Sequence, residues 1–336
     1  ELRVFGSSLP TVTNDVKMYS SGYVEGLLTC VRISQYYANV HSLLMGAEAS
    51  HHALLQIRSQ LEAQVGFMKA NINLVEHIWP EEPTDIKWKH GRYLLFQMWG
   101  LMDGYNVAAR HFKVHELSLV DFFLLNSMGE MTTLMEAYEP QKVSDRAKAS
   151  SPPLVFLQKN ALVRRSNDTV DTEVAEDAKW EKRMRKSRCS ALVRVKENNA
   201  DLYVGHTTWA DYSTMTRIYK YYHIPLPGAE SMVTLLSMSS YPGTIHSGDT
   251  YIMADSGLVI TETQLELIDF FKYDSVQDFP FNAHLPNWVH LLITTRLAST
   301  GAEWAKIWST QNTGTLMSQW LIVDYNLYKV GKPLPE

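Results

Sequence analysis

Apolar residues recur at three- and four-residue spacing through Val16 to Leu44, Ala49 to Ile78, Ile86 to Phe112 and Leu117 to Tyr138, the period of a helix that buries one face. Four helices are expected there, packed as one layer or bundle. The flanks agree: "WPEEPTD" sets two prolines and Asp85 ahead of the third, and Ser118 with Asp121 has the spacing of a capping box. Ahead of them "ELRVF" alternates like a strand. Around residues 140–188 the pattern fails, because "SSPP" breaks the chain and half of residues 159–188 are charged, which leaves little apolar area to bury. An exposed linker is expected, acidic in "DTEVAED" and basic in "KWEKRMRKSR".

After Cys189 the period shortens to two. "CSALVRV" and "LYVGHTTW" flank "KENNAD", whose Asn198-Asn199 suits the left-handed geometry of a hairpin loop; "TYIMA" and "LVITET" flank Asp255-Ser256-Gly257, and "SQWLIVDY" reads as a further strand. Helices are expected over Trp209–Tyr222, capped by Thr208 and Asp211, and over Asn287–Ser309. The predicted class is α+β, with a mainly helical part at 1–158, the linker at 159–188 and a mixed part at 189–336. If Val195 pairs with Leu202, Cys189 lies opposite Thr208 and Ala191 opposite His206, so that Cys189, His206 and Thr208 share a face. A one-residue slip would reverse this placement.

Composition narrows the functional classes. The formal charge of −5 over 336 residues gives no broad cationic field, so nucleic acid is not an expected partner. No apolar run has bilayer length, "LVDFFLLNSM" being cut by Asp121 and Asn126, so no transmembrane segment is expected. The chain opens on Glu1, as expected of a processed or trimmed polypeptide. Cys30 and Cys189 make neither a disulfide framework nor a zinc site. His111 and His115 have i, i+4 spacing but no acidic third ligand, and read as a solvated helix end; His51 and His52 point to different faces. No nucleophile elbow, P-loop or dinucleotide fingerprint occurs, and no metal or cofactor is expected.

The junction at Cys189 admits two readings. The charged run is a solvated linker and Cys189 an inert strand residue; or Arg185-Lys186-Ser187-Arg188 is an exposed basic cluster suited to trypsin-like or convertase-like cleavage, and a cut after Arg188 makes Cys189 an N-terminus. In the second case the thiol is the nucleophile and its own α-amine, with an ordinary pKa near 8, is the base. No separate catalytic histidine is then obligatory, and His206 would orient substrate or tune the thiol. Trp209 reads either as a core residue packed with Tyr212 and Met215 or as a pocket wall.

"CSALVRV", "GHTTW", "MTRIYKYY", "SSYPGTIHSGDTYI", "DSGLVITET" and "NTGTLMSQWLIVDY", with "MYSSGYVEG", "GRYLLFQMWGLMDGY" and "LSLVDFFLLNSMGEM" before them, resemble the phospholipase B-like proteins, lysosomal N-terminal-nucleophile hydrolases. The resemblance covers nearly the whole chain. It implies an αββα sandwich and a precursor cut between Arg188 and Cys189, by itself or by a separate protease, into fragments that stay associated. It implies Cys189 as nucleophile with His206 and Trp209 lining the site, Thr263 near it, and Ser239 and Asn312 as further pocket residues. A lysosomal or secretory lumen follows, with a glycan on the Asn167-Asp168-Thr169 sequon. The substrate class is an acyl amide or a lipid ester, and self-association stays open. The family's "NSGTYNNQW" stands here as "NTGTLMSQW", so Met317 and Ser318 replace two asparagines. Family members continue beyond the position of Glu336, and that stretch resembles a source of oxyanion and substrate contacts; a fragment of a longer molecule is therefore expected. The alternative is a catalytically silent binding or structural protein on the same fold.

Overall fold

Two of the expected helices meet through glycine. In the computed structural model, which describes residues 1–9, 11–44, 51–72, 81–138, 188–210, 212–265, 284–311 and 313–333, α1 (Asn14–Leu44) lies along α3 (Ile86–Phe112). A Cβ at Gly22 would stand 1.9 Å from the carbonyl oxygen of Gln97, and one at Gly100 would stand 1.9 Å from that of Tyr19; Gly26 and Gly104 repeat the contact one turn on. The two backbones touch, and only the residue without a side chain permits it. Helices α2 (His51–Asn71), α4 (Leu119–Asn126) and α5 (Met131–Tyr138) complete the helical part.

The local signals for helix ends hold. Asp85 accepts from the amides of Lys87 and Trp88 at the start of α3, and Ser118 and Asp121 make both bonds of a capping box at α4. Left-handed Lys113 ends α3, which leaves His111 on the helix and His115 beyond it, both exposed, on no common helix face.

A six-stranded sheet has the order β1 (Leu2–Phe5), β4 (Ile218–His223), β5 (Leu235–Ser240), β6 (Tyr251–Ala254), β7 (Leu258–Gln264), β8 (Ser318–Asp324). The pair β1–β4 is parallel and the others are antiparallel. Alternate residues Tyr222, Leu236, Met238, Ile252 and Ile260 join the helices and Trp288 of α6 (Asn287–Leu297) in one hydrophobic core. The opposite face receives a separate hairpin, β2 (Arg188–Val195) and β3 (Leu202–Trp209), where the Tyr251 hydroxyl reaches the carbonyl of Val204 at 3.4 Å. The class is α+β. Among the described residues no helix is long and apolar enough to cross a membrane.

The hairpin has the expected register, Val195 opposite Leu202, Ala191 opposite His206 and Cys189 opposite Thr208. Its loop places Asn198 and Asn199 at φ of 58° and 52°, the left-handed conformation that asparagine tolerates better than most residues. Gly257, at φ 87°, turns β6 into β7.

The helix expected over Trp209–Tyr222 is not there. Strand β3 runs to Trp209, a single 3-10 turn covers Tyr212–Thr214, and β4 begins at Ile218; Asp211 lies outside the described residues. Within β4, Lys220 is fully buried, its Nζ 2.6 Å from Oε1 of Glu25 on α1 and also donating to the carbonyl of Thr244, while the Tyr222 hydroxyl donates to Glu25 Oε2 at 2.5 Å. A charge paired across the core is what allows the alternation of a strand here. The segment Asn287–Ser309 is helical but broken: α6 ends at Leu297, and Thr300 caps α7 (Gly301–Trp308) through the amide of Glu303.

Candidate active site

The path to the site starts at Cys189, the second residue of β2. Its backbone N–H donates to Thr263 Oγ1 at 3.1 Å, and the same hydroxyl donates to the Cys189 carbonyl at 3.3 Å, so the side chain of β7 clamps this residue by its main chain. Its half-buried thiol interacts with the Thr208 hydroxyl and the Trp209 backbone. Burial, then the carboxylates of Glu262 and Asp249, push the thiol up to about 11, while its hydrogen bonds to Trp209 and Thr208 act against the rise. With the 188–189 bond intact this sulfur is a protonated, weak nucleophile at neutral pH.

Beside it a cleft of ≈ 520 Å³ opens between the hairpin and the large sheet, lined by His206, Thr208, Arg217, Ser239, Asp249 and Tyr251 among others. His206 Nε2 lies 2.9 Å from the Glu262 carbonyl, and its ring stacks on Tyr251 at 6.3 Å between centroids. Asp249 is buried and saturated with donors: Ser239 gives its hydroxyl proton to Oδ2, Tyr241 to Oδ1, and Arg217 Nη1 reaches Oδ2 at 3.1 Å. Burial and the Asp249 charge hold the Tyr241 hydroxyl far above its ordinary range. Thr208 Oγ1 also lies 3.4 Å from the Asp249 carbonyl oxygen, which joins the cysteine's cross-strand partner to the acidic residue.

The sequence-predicted residues divide accordingly. His206 and Ser239 line the cleft, and Thr263 holds the backbone of Cys189. Trp209 is 57% exposed at the end of β3, and the core packing with Tyr212 and Met215 that a helix would have given is absent, those two being 86% and 65% exposed. Thr208 bonds toward Asp249 instead of capping a helix. Arg188 stands opposite Trp209 as the first residue of β2, which puts the expected scissile bond at the strand's start. Asn312 and Asn167 lie outside the described residues. Among the described residues no group of three or more histidine, cysteine, aspartate or glutamate side chains is arranged to hold a metal ion.

Arg217 and Asp249 were not singled out from sequence. The signal was faint: a single aspartate in "IHSGDT" and a single arginine in "MTRIYKYY", 32 residues apart, with no spacing rule to join them.

A phospholipase B family model matches residues 2–336. "Phospholipase B-like protein C" of Dictyostelium discoideum is 29% identical over 332 residues, covering 96% of this chain and 50% of that protein. Human "Phospholipase B-like 1" is 26% identical over 329 residues, covering 98% and 51%. "Phospholipase-B 81" of Drysdalia coronoides is 24% identical over 332 residues, covering 99% and 53%. The chain spans about half the length of the curated relatives it matches.

Proposed function

The chain belongs to the phospholipase B family, and from that premise we propose that it is the nucleophile-bearing part of an acyl hydrolase, built as an N-terminal-nucleophile αββα sandwich, in which Cys189 acts once the bond after Arg188 is cut. One observation carries the reading. Cys189 gives its backbone nitrogen to the Thr263 hydroxyl at 3.1 Å, while its sulfur is engaged by Thr208, a residue of the cleft wall. A freed α-amine would be held by Thr263 within reach of its own thiol.

The amine takes the thiol proton, and the sulfur adds to the acyl carbonyl carbon. The tetrahedral adduct collapses, expelling an amine or alcohol that recovers the proton from the α-ammonium. Water gives a proton to the amine and attacks the thioester, the carbon–sulfur bond breaks, the sulfur takes the proton back, and a carboxylic acid leaves. An α-ammonium beside the sulfur also supplies a positive charge that favours the thiolate, against the pull of Glu262 and Asp249. Cleavage would thus switch the thiol on. His206 orients the substrate, and the substrate class is an acyl amide or a lipid ester.

The same reading puts the protein in a lysosomal or secretory lumen, with a glycan on Asn167. Mass spectrometry of the native protein should find a free amine at Cys189 and sugar at Asn167, and turnover of an acyl amide or a lysophospholipid should be lost in Cys189→Ala. The raised thiol favours one rival, a silent binding protein on the same fold. An uncut 188–189 bond in mature material, with no turnover that depends on Cys189, would decide for it.

A further inference from the structure

Arg217 has more donors than its partner uses. Its Nη1 meets Asp249, and its guanidinium lies 5.6 Å from the centroid of the Tyr241 ring. Among the described residues Nε and Nη2 have no protein acceptor, and the side chain is 39% exposed where it lines the cleft. A guanidinium is a planar fork of five N–H donors that cannot be discharged, so the two unused nitrogens remain a ready-made seat for a pair of oxygens.

The surroundings set the sign of what fits. Among the described residues Asp249 is the one acidic residue of the cleft lining, and its side chain is only 2% exposed, with both oxygens occupied by Arg217, Ser239 and Tyr241. The acid is sealed and the cation faces the opening. Thr208 adds a hydroxyl to the lining. Thr208 is also the cross-strand partner of Cys189, so the seat lies one strand away from the sulfur.

We infer that Arg217, held in place by Asp249 and Tyr241, anchors an anionic oxygen pair, a carboxylate or a phosphate, on the substrate whose acyl bond Cys189 attacks. This rests on the hydrolase reading for the ligand's role as substrate, and on geometry alone for the anion.

The test separates the two. Binding of hexanoate, hexyl phosphate and hexanol to the native mature protein is measured by calorimetry, together with Arg217→Gln and Arg217→Lys, the second keeping a cation but losing the planar fork. Wild type should bind one or both anions about tenfold more tightly than hexanol, the scale of a charge-assisted bidentate contact; Arg217→Gln should erase that preference and Arg217→Lys should reduce it. The stronger anion identifies the group, carboxylate or phosphate. No preference in wild type, or a preference that survives undiminished in the variants, overturns the anchor; should Arg217→Gln fail to fold, Arg217→Lys alone decides. An anion preference that depends on Arg217, without any Cys189-dependent turnover, overturns the hydrolase reading and leaves the anchor. The reverse pattern overturns the anchor and leaves the hydrolase.

Discussion

Two cations three residues apart, Arg217 and Lys220, each meet a carboxylate, yet they live on opposite sides of one sheet. Lys220 and Glu25 are both fully buried at 2.6 Å, with Tyr222 and Thr244 closing the remaining hydrogen-bond positions. Arg217 and Asp249 sit at 3.1 Å with the guanidinium partly in the open. The pairing is chemically alike, but only one pair must be complete for the fold to exist. On the helix side polar groups are structural because water cannot replace a lost partner; on the cleft side water can, and a ligand can too.

Breaking the sealed pair should have the largest effect. Lys220→Met leaves the Glu25 carboxylate buried beside a single hydroxyl donor and should cost about 3–5 kcal/mol in urea unfolding. Adding Glu25→Leu should restore much of that loss; a double variant as weak as the single one would refute the account. Next comes Glu130, buried on the helix side, where it accepts from Asn287 Nδ2 at 3.2 Å and from the Thr315 hydroxyl. Burial pushes its carboxyl from 4.5 up to about 7 against those hydrogen bonds.

The folded state therefore holds this proton more tightly than the unfolded chain does. Its contribution is complete below pH 4.5 and fades as pH rises to 7, a span worth about 3 kcal/mol. Unfolding midpoints at pH 4.5 and 7.5 should differ less in Glu130→Gln than in wild type, and equal pH slopes would count against the assignment. Smallest of all, Arg217→Gln should lower stability by about 1 kcal/mol, because Ser239 and Tyr241 still serve Asp249. A loss as large as that of Lys220→Met would erase the distinction between the two sides.

What could be seen in the sequence was local. The hairpin register followed from a loop whose two asparagines accept positive φ, and the ends of α3 and α4 followed from Asp85, Ser118 and Asp121, each acting within four residues. Family membership was legible from many short matches in one order. Strand β4 was misjudged because burial of Lys220 depends on Glu25, far away along the chain on another element. The same reason hid Arg217 and Asp249: a cleft is defined by what folding brings together, and neither residue has a local environment that marks it. Cys189 stood out because the texture of the chain changes at that residue, from charged run to alternating strand.

Strand β1 has a consequence for what a cut can release. Residues 2–5 are hydrogen-bonded into the sheet alongside β4, and Glu25 from the same region neutralises Lys220 within it. A polypeptide severed between positions 139 and 188 would still travel through a sizing column as one particle. To part the pieces, solvent would have to peel away an edge strand and expose an orphaned ammonium in the same event, so a cut there would alter the chemistry at a single nitrogen and leave these contacts in place.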